Sequence, residues 1–509
     1  MRAIKMSRFY KYAFLSALIG FGAAACSASF AEENPDVLNF AAYSEDAAAP
    51  TPSPTLGLFS EAVEEDEESA DAVEATDAVL ERMEAELAKM REETESLKKR
   101  FDEKDADKSK PVNKNAERLS VKFGGQLKFD GSLVSQNDEA LQNFGNAKNS
   151  VGVRDIRVTA SGSGYGRLAY SFGFSIHDHI TLRHAYVRVK DTPYFGDVTF
   201  GHFFVETGME SVQTNYDRYF TTVDENENFF KIGRRLGASS TYFGADKRSR
   251  LFFGIFASAS IESAPERLNG ECSGLILNTR YTAAPILVED ADGFTHEVFH
   301  FGGSYMWLDP AHTAPLVSRT RGMGWTGTNP YWINGILPLD GRSYSIAAAE
   351  IAYQKEKATF ISEGFFRSIE KGGNAYGATN VALFMLTPGA SRTYSRSDAR
   401  FSGVKMRDEI LFIDPEARVV GGGLGALEAV AKWEWTQAND VKNFASNAAG
   451  TEPPIYGTVN RFVLGANWFW NEQINWAFNW EHAFVDAKQA GAPKKGDFDS
   501  LVIQTSMKF

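Results

Sequence analysis

From Leu119 onward, apolar and polar residues alternate with a period of two. In RLSVKFGGQLKFDGSLV, Leu119, Val121, Phe123, Leu127, Phe129 and Leu133 share one face of an extended chain. Ser120, Lys122, Gln126, Lys128 and Asp130 share the other. Successive side chains of a strand point to opposite faces, so this reads as a strand with one apolar and one polar side. The pattern recurs in GRLAYSFGFSI, RLFFGIFASA, HFGGSYMWL, RFVLGANWFW and INWAFNWEHAF, and again in SLVIQTSMKF. In that last stretch Leu501, Ile503, Thr505, Met507 and Phe509 alternate with Val502, Gln504, Ser506 and Lys508. Alternation and turn residues together predict about sixteen strands, starting near 119, 151, 167, 180, 197, 236, 250, 274, 297, 342, 357, 378, 425, 458, 473 and 500. They run to roughly nine to thirteen residues, the length a tilted strand needs to cross a bilayer. Strands of soluble sheets are nearer five or six residues. An even number suits a closed antiparallel barrel.

The connections alternate too. SGSGYG, GADKRS, QKEK and NE are short turns, whereas 134–150, 206–232, 260–273, 308–341 and 437–457 are long. Short turns at one end and long loops at the other is the asymmetry of outer-membrane barrels. Two connections break the rule: 388–424 is long where a short turn is expected, and His177-Asp178-His179 is short where a long loop is expected.

Ahead of the strands the pattern differs. Arg2, Lys5, Arg8 and Lys11, the apolar run Ala13–Ala25 and the small residues ending at Ala31 give residues 1–31 the form of a secretory signal. A second reading makes Ala23-Ala24-Ala25-Cys26 a lipoprotein site. Residues 32–72, with EAVEEDEESADA, have little to bury and read as a disordered acidic linker. Val73, Thr76, Leu80, Met83, Leu87, Met90, Thr94, Leu97 and Phe101 then repeat at heptad spacing, which predicts a coiled coil within 73–108. The barrel domain is assigned to 118–509, with the coiled coil on the periplasmic side of the membrane.

Composition and charge sharpen this picture. The chain has 39 Phe and 9 Trp among 509 residues. No run of about 18 apolar residues follows the first 31 positions, so no helical span is expected there. The formal charge of -13 is unevenly spread: of 53 basic and 66 acidic residues, 1–117 hold 14 and 25, and 118–509 hold 39 and 41. Nothing in this balance points to nucleic acid. Two cysteines, Cys26 and Cys272, give no disulfide framework. His177-Asp178-His179 lacks further clustered ligands for a metal. GGGLG and GGNAYG lack the lysine and helix of a phosphate loop. No Ser/His constellation suggests an enzyme, and no cofactor is implied.

Several stretches resemble the phosphate-selective O and P porins of outer membranes. They are GRRLG at 233–237, LTPGASRTY at 386–394, GALEAVAKW at 425–433 and LGANWFWNE at 464–472. Weaker matches are GHFFVETGME at 201–210 and NTRYTAAP at 278–285, which contains Arg280. The resemblance implies a homotrimer of sixteen-stranded barrels in the outer-membrane lipid, with a third loop folded into the lumen and basic residues along an anion path. It also implies that the strand ending at Phe509 is read by barrel-assembly machinery. Arg154-Asp155 stands where the family has two arginines, and both are assigned to the ion path. Strand parity sends Asp155 and Arg157 to the lumen and Ile156, Val158 and Ala160 to lipid. Of Arg234 and Arg235, parity allows one to line the pore. The loop 206–232 holds Glu206, Glu210, Asp217, Asp224, Glu225 and Glu227 against Arg218 and Lys231, an acidic constriction unlike a phosphate clamp. The expected function is passive diffusion of small hydrophilic solutes and ions, with weak selectivity for anions or phosphate. Alternatives are a tether to the cell wall through the coiled coil, and an adhesin or receptor using the long loops.

Overall fold

The structure is a computed structural model that describes residues 119–509 except 177–179, 223–224, 259–273, 310–315, 321–329, 338–341, 371, 411–422, 440–445 and 447–450. The signal, linker and coiled-coil expectations, the histidine pair around Asp178, and Cys272 lie outside these residues.

The chain forms β1 (Lys122–Gln136), β2 (Ser150–Gly164), β3 (Leu168–Ile176), β4 (Ile180–Thr192), β5 (Gly196–Phe204), β6 (Arg234–Phe243) and β7 (Ser249–Ala257). Next come β8 (Leu275–Glu289), β9 (Thr295–Leu308), β10 (Leu316–Arg319), β11 (Asn334–Leu337), β12 (Tyr344–Lys355), β13 (Ala358–Ile369) and β14 (Asn374–Met385). The last six are β15 (Ala390–Ser395), β16 (Arg400–Met406), β17 (Ala426–Gln437), β18 (Ile455–Phe469), β19 (Ile474–Gln489) and β20 (Ala492–Lys508). Two helices, α1 (Asp138–Phe144) and α2 (Glu225–Phe230), lie in loops.

Eighteen strands share one sheet, and β15 and β16 pair only with each other. β10 and β11 are four-residue pieces of one long loop. The other sixteen strands of the described residues run antiparallel to their neighbours and close on themselves, because β1 pairs with β20 from Gln126↔Lys508 to Gln136↔Phe498. The expected starts fall within four residues of the observed ones, except that the last strand starts at Ala492 rather than near 500. Its first half, APKKGDFD, is too polar to show a membrane pattern, yet it pairs throughout with β19.

The alternation sorts side chains as a lipid-facing barrel requires. On β7, Leu251, Phe253 and Ile255 are exposed while Arg250, Phe252 and Phe256 are buried. On β20, Leu501 and Ile503 are exposed while Ser500, Val502 and Gln504 are buried. An outward apolar band satisfies hydrocarbon, and ring closure leaves no strand edge with unpaired backbone groups.

The interior is partly filled by three inserts. From the long-loop end, the loop 205–233 turns inward at Gly208 (φ +145), where a Cβ would meet the Glu363 carboxylate at 2.5 Å. From the same end, Trp332 and Ile333 pack with Phe229, Phe230 and Phe498 in an apolar cluster. From the short-turn end, the hairpin β15–β16 rises into the barrel, and its Tyr394 and Phe401 pack with Tyr219 and Phe220 of the first insert. This hairpin accounts for the unexpectedly long connection at 388–424.

Candidate functional site

The lumen-facing residues of the sixteen strands are largely polar or charged, and their charges fall into two groups. The first group is paired. Arg250 on β7 grips Glu206 with two hydrogen bonds of 2.6 and 2.7 Å. Arg280 on β8 bridges Glu206 at 3.3 Å and Glu350 on β12 at 2.8 Å. His300 on β9 lies 3.2 Å from Glu350 and 2.7 Å from the Tyr394 hydroxyl of the hairpin. On the far wall Lys432 and Arg461 flank Glu434 at 2.9 and 2.5 Å. These side chains are buried almost completely. A buried ion stays charged only when partners replace lost water, and here each carboxylate touches at least one guanidinium or ammonium.

The second group is crowded with one sign. Arg157 on β2 lies within electrostatic range of Arg183 on β4, Arg218 in the loop, and Arg234 on β6. His184 shares the neighbourhood of Arg157 and Arg234. The Nε of Arg183 is buried without a hydrogen-bond partner. Among the described residues, Asp155 and Glu210 face this cluster. Asp155 is 2.9 Å from Arg157 and also accepts hydrogen bonds from Gln126, Ser175 and Asn215. Glu210 is 3.9 Å from Arg218.

The residues singled out in the sequence are thus divided between these groups. Asp155 and Arg157 face the lumen as parity predicts. Arg154 faces inward too, the side expected of an ion-path residue but against the strict parity of β2. A bulge makes Lys128 pair with Asp155 and Phe129 with Val153, so Arg154 is the extra residue and the alternation flips across it: Val151 and Val153 are exposed before it, and Asp155 is buried after it. Arg154 bridges Asp130 at 3.0 Å and donates to the Thr221 carbonyl. Arg235 is buried in phase with inward Ser239 and Thr241, donating to the Ser258 carbonyl at 3.0 Å. Arg234, the first residue of β6, stacks on Phe204 at 3.8 Å, and Lys231 lies over the same ring at 4.4 Å. Arg280 sits at the centre of the paired group.

The described acids of the inward loop lie against basic side chains. Glu206 is held by two arginines, Glu210 faces Arg218, and Asp217 accepts from Arg400 at 3.2 Å. Its backbone is also pinned: Met209 N–H donates to Glu363 at 2.6 Å and Thr221 N–H to Asn479 at 2.7 Å. Burial pushes the Tyr219 phenol up, so it stays neutral. The side chains of Asp224, Glu225 and Glu227 lie outside the described residues. Phe509 pairs with Gly125 through both backbone bonds, and its ring occupies the space a side chain at 125 would need.

Sequence reasoning missed Arg183, Arg392, Arg400 and Glu428. Arg392 was visible inside LTPGASRTY, and Glu428 inside GALEAVAKW, but only folding shows that they meet. Among the described residues no cluster of His, Cys, Asp and Glu is arranged to hold a metal.

No protein-family model matches the sequence, and no curated protein matches it either. Solved structures do align with it. The anion-selective porin from Comamonas acidovorans is 11% identical, covering 77% of this chain and 100% of its own, at a TM-score of 0.44. The trimer form of OmpT, an outer membrane protein of Vibrio cholerae, is 10% identical over 77% and 99% at 0.42. The outer membrane channel DcaP of Acinetobacter baumannii is 10% identical over 76% and 97% at 0.41. At these values the alignments carry no functional argument, and the barrel stands on the strand pairing of this chain.

Proposed function

We propose that the protein is an outer-membrane channel through which small hydrophilic solutes and ions diffuse passively, with a modest preference for anions. The observation that carries this reading is the pairing of an apolar exterior with a charged interior in a closed sixteen-stranded ring. Barrels of this strand number leave an aqueous lumen after their walls are lined. The anion preference follows from local placement: Arg157, Arg183 and Arg234 of β2, β4 and β6 crowd together with Arg218 of the loop, while Glu206, Glu210 and Asp217 of that loop lie against arginines. Fixed charges act strongly in a narrow, poorly screened lumen. Weak selectivity rather than a tight phosphate clamp fits the pairing of Arg157 with Asp155 and the nearness of Arg218 to Glu210. Assembly as a homotrimer belongs to the same proposal.

Single-channel recording from folded protein in a planar bilayer tests it. Stepwise conductance is expected, with a reversal potential in a potassium chloride gradient that favours chloride. A folded barrel that never conducts would sink the reading. Strong block by low phosphate concentrations would contradict the modest selectivity.

A further inference from the structure

We propose that Arg392 and Arg400 of the β15–β16 hairpin are specificity-determining residues: they neutralise carboxylates at mid-lumen, so the hairpin sets the charge of the passage as well as its width. This rests on the channel reading above.

The hairpin enters from the short-turn end, in the connection between β14 and β17. Its segment 390–406 carries four basic residues, at 392, 396, 400 and 405, and one acid, at 398. Arg392 places Nε and Nη2 on the two oxygens of Glu428 at 2.6 Å each. Both side chains are almost wholly buried, 2% and 1% exposed. The fit is a fork on a fork, which fixes geometry as well as cancelling charge. Arg400 Nη1 lies 3.2 Å from Asp217 Oδ2, and its Nη2 lies 3.4 Å from Asp398 of the same hairpin. Asp217 also accepts from Thr214 at 2.6 Å and Ser402 at 3.4 Å.

The two carboxylates come from different parts of the fold. Asp217 belongs to the loop that descends from the opposite end, and Glu428 belongs to the wall strand β17. Neither has another basic side chain within ion-pair distance among the described residues: Glu428 otherwise accepts from Asn467 at 3.0 Å. The hairpin is therefore the source of their neutralisation. Its position is fixed independently, because Arg280 donates to the carbonyls of Asp398 and Ala399 at 3.3 and 3.0 Å and Phe401 is fully buried. Without Arg392 and Arg400, two carboxylates would face the passage and attract cations; with them, the basic wall dominates.

The test uses the full-length protein in planar bilayers, read as the chloride-to-potassium permeability ratio. Arg392→Gln with Arg400→Gln is expected to lower the ratio about fivefold, through unpaired carboxylates in a confined lumen. Adding Asp217→Asn and Glu428→Gln to that variant should restore the parent ratio. Asp217→Asn alone leaves Arg400 without that partner and should raise the ratio. If the arginine variant fails to fold, the quadruple neutral variant and Asp217→Asn, which leave neither Asp217 nor Glu428 as an orphaned carboxylate, still decide the matter. Replacing 390–406 by a short glycine-serine turn should raise conductance and turn the channel toward cations. A wider channel with an unchanged ratio, or an Asp217→Asn ratio equal to the parent's, would overturn the proposal while leaving the channel reading intact. A parent that does not conduct would overturn both.

Discussion

Two walls of one lumen treat charge in opposite ways. Along β7, β8 and β12, Arg250, Arg280, Glu206 and Glu350 alternate in sign and contact one another directly. Along β2, β4 and β6, Arg157, Arg183 and Arg234 crowd together, and Asp155 lies 2.9 Å from Arg157. The first arrangement resembles a structural seam, since each ion depends on its neighbour to remain buried. The second brings like charges together, at some cost in repulsion. The difference suggests a division of labour: one wall holds the inward loop in place, and the other shapes the potential.

Removing a centre of the paired wall should have the largest effect. Arg280→Met leaves Glu350 with His300 as its only remaining ion-pair neighbour among the described residues, and leaves Glu206 with Arg250 alone. Breaking a buried pair costs about 3–5 kcal/mol, so the folded, heat-resistant form should fall sharply in yield on a gel-shift assay. Adding Glu350→Gln should recover a good part of it. A stable single variant would show that this wall is not a structural seam.

The crowded wall should respond the other way. Arg183→Met removes a like charge whose Nε has no hydrogen-bond partner, so folding should be unchanged or slightly better. The reversal potential should move toward that of a less anion-preferring channel, by about twofold in permeability ratio. Loss of folding with no change in selectivity would erase the contrast between the walls. A smaller sharpening comes from Asp155→Asn, which should raise the anion preference because Arg157 would lose its carboxylate at 2.9 Å.

Much of the fold was legible because strand alternation is local. Leu251, Phe253 and Ile255 announce an outward face without knowledge of any partner. The lumen was less legible because its chemistry is non-local. Arg392 and Glu428 are 36 residues apart, and Arg400 and Asp217 are 183 apart. No spacing rule connects them. Parity failed at Arg154 for a related reason: a bulge is a property of two paired strands, and β2 alone does not reveal it. Glu206 and Asp217 looked unpartnered in sequence because their cationic partners arrive from β7, β8 and the hairpin. The misfit of the 388–424 connection was the readable sign of that hairpin.

The rim offers the mildest comparison with both walls. Asp290 lies in the turn between β8 and β9, where it accepts from the Phe294 N–H at 2.7 Å. That hydrogen bond, with His296 at 3.4 Å, holds its carboxyl below the ordinary carboxylate value. A depressed folded value stabilises the protein above the unfolded value and loses that contribution as pH falls through the folded one. The window is therefore acidic, below roughly pH 4. The turn is open to solvent, so the contribution is screened and small. Urea unfolding midpoints of the parent and Asp290→Asn should differ slightly at pH 7 and converge near pH 3. A drop comparable to that of Arg280→Met would mean that the rim, rather than the paired wall, anchors the barrel.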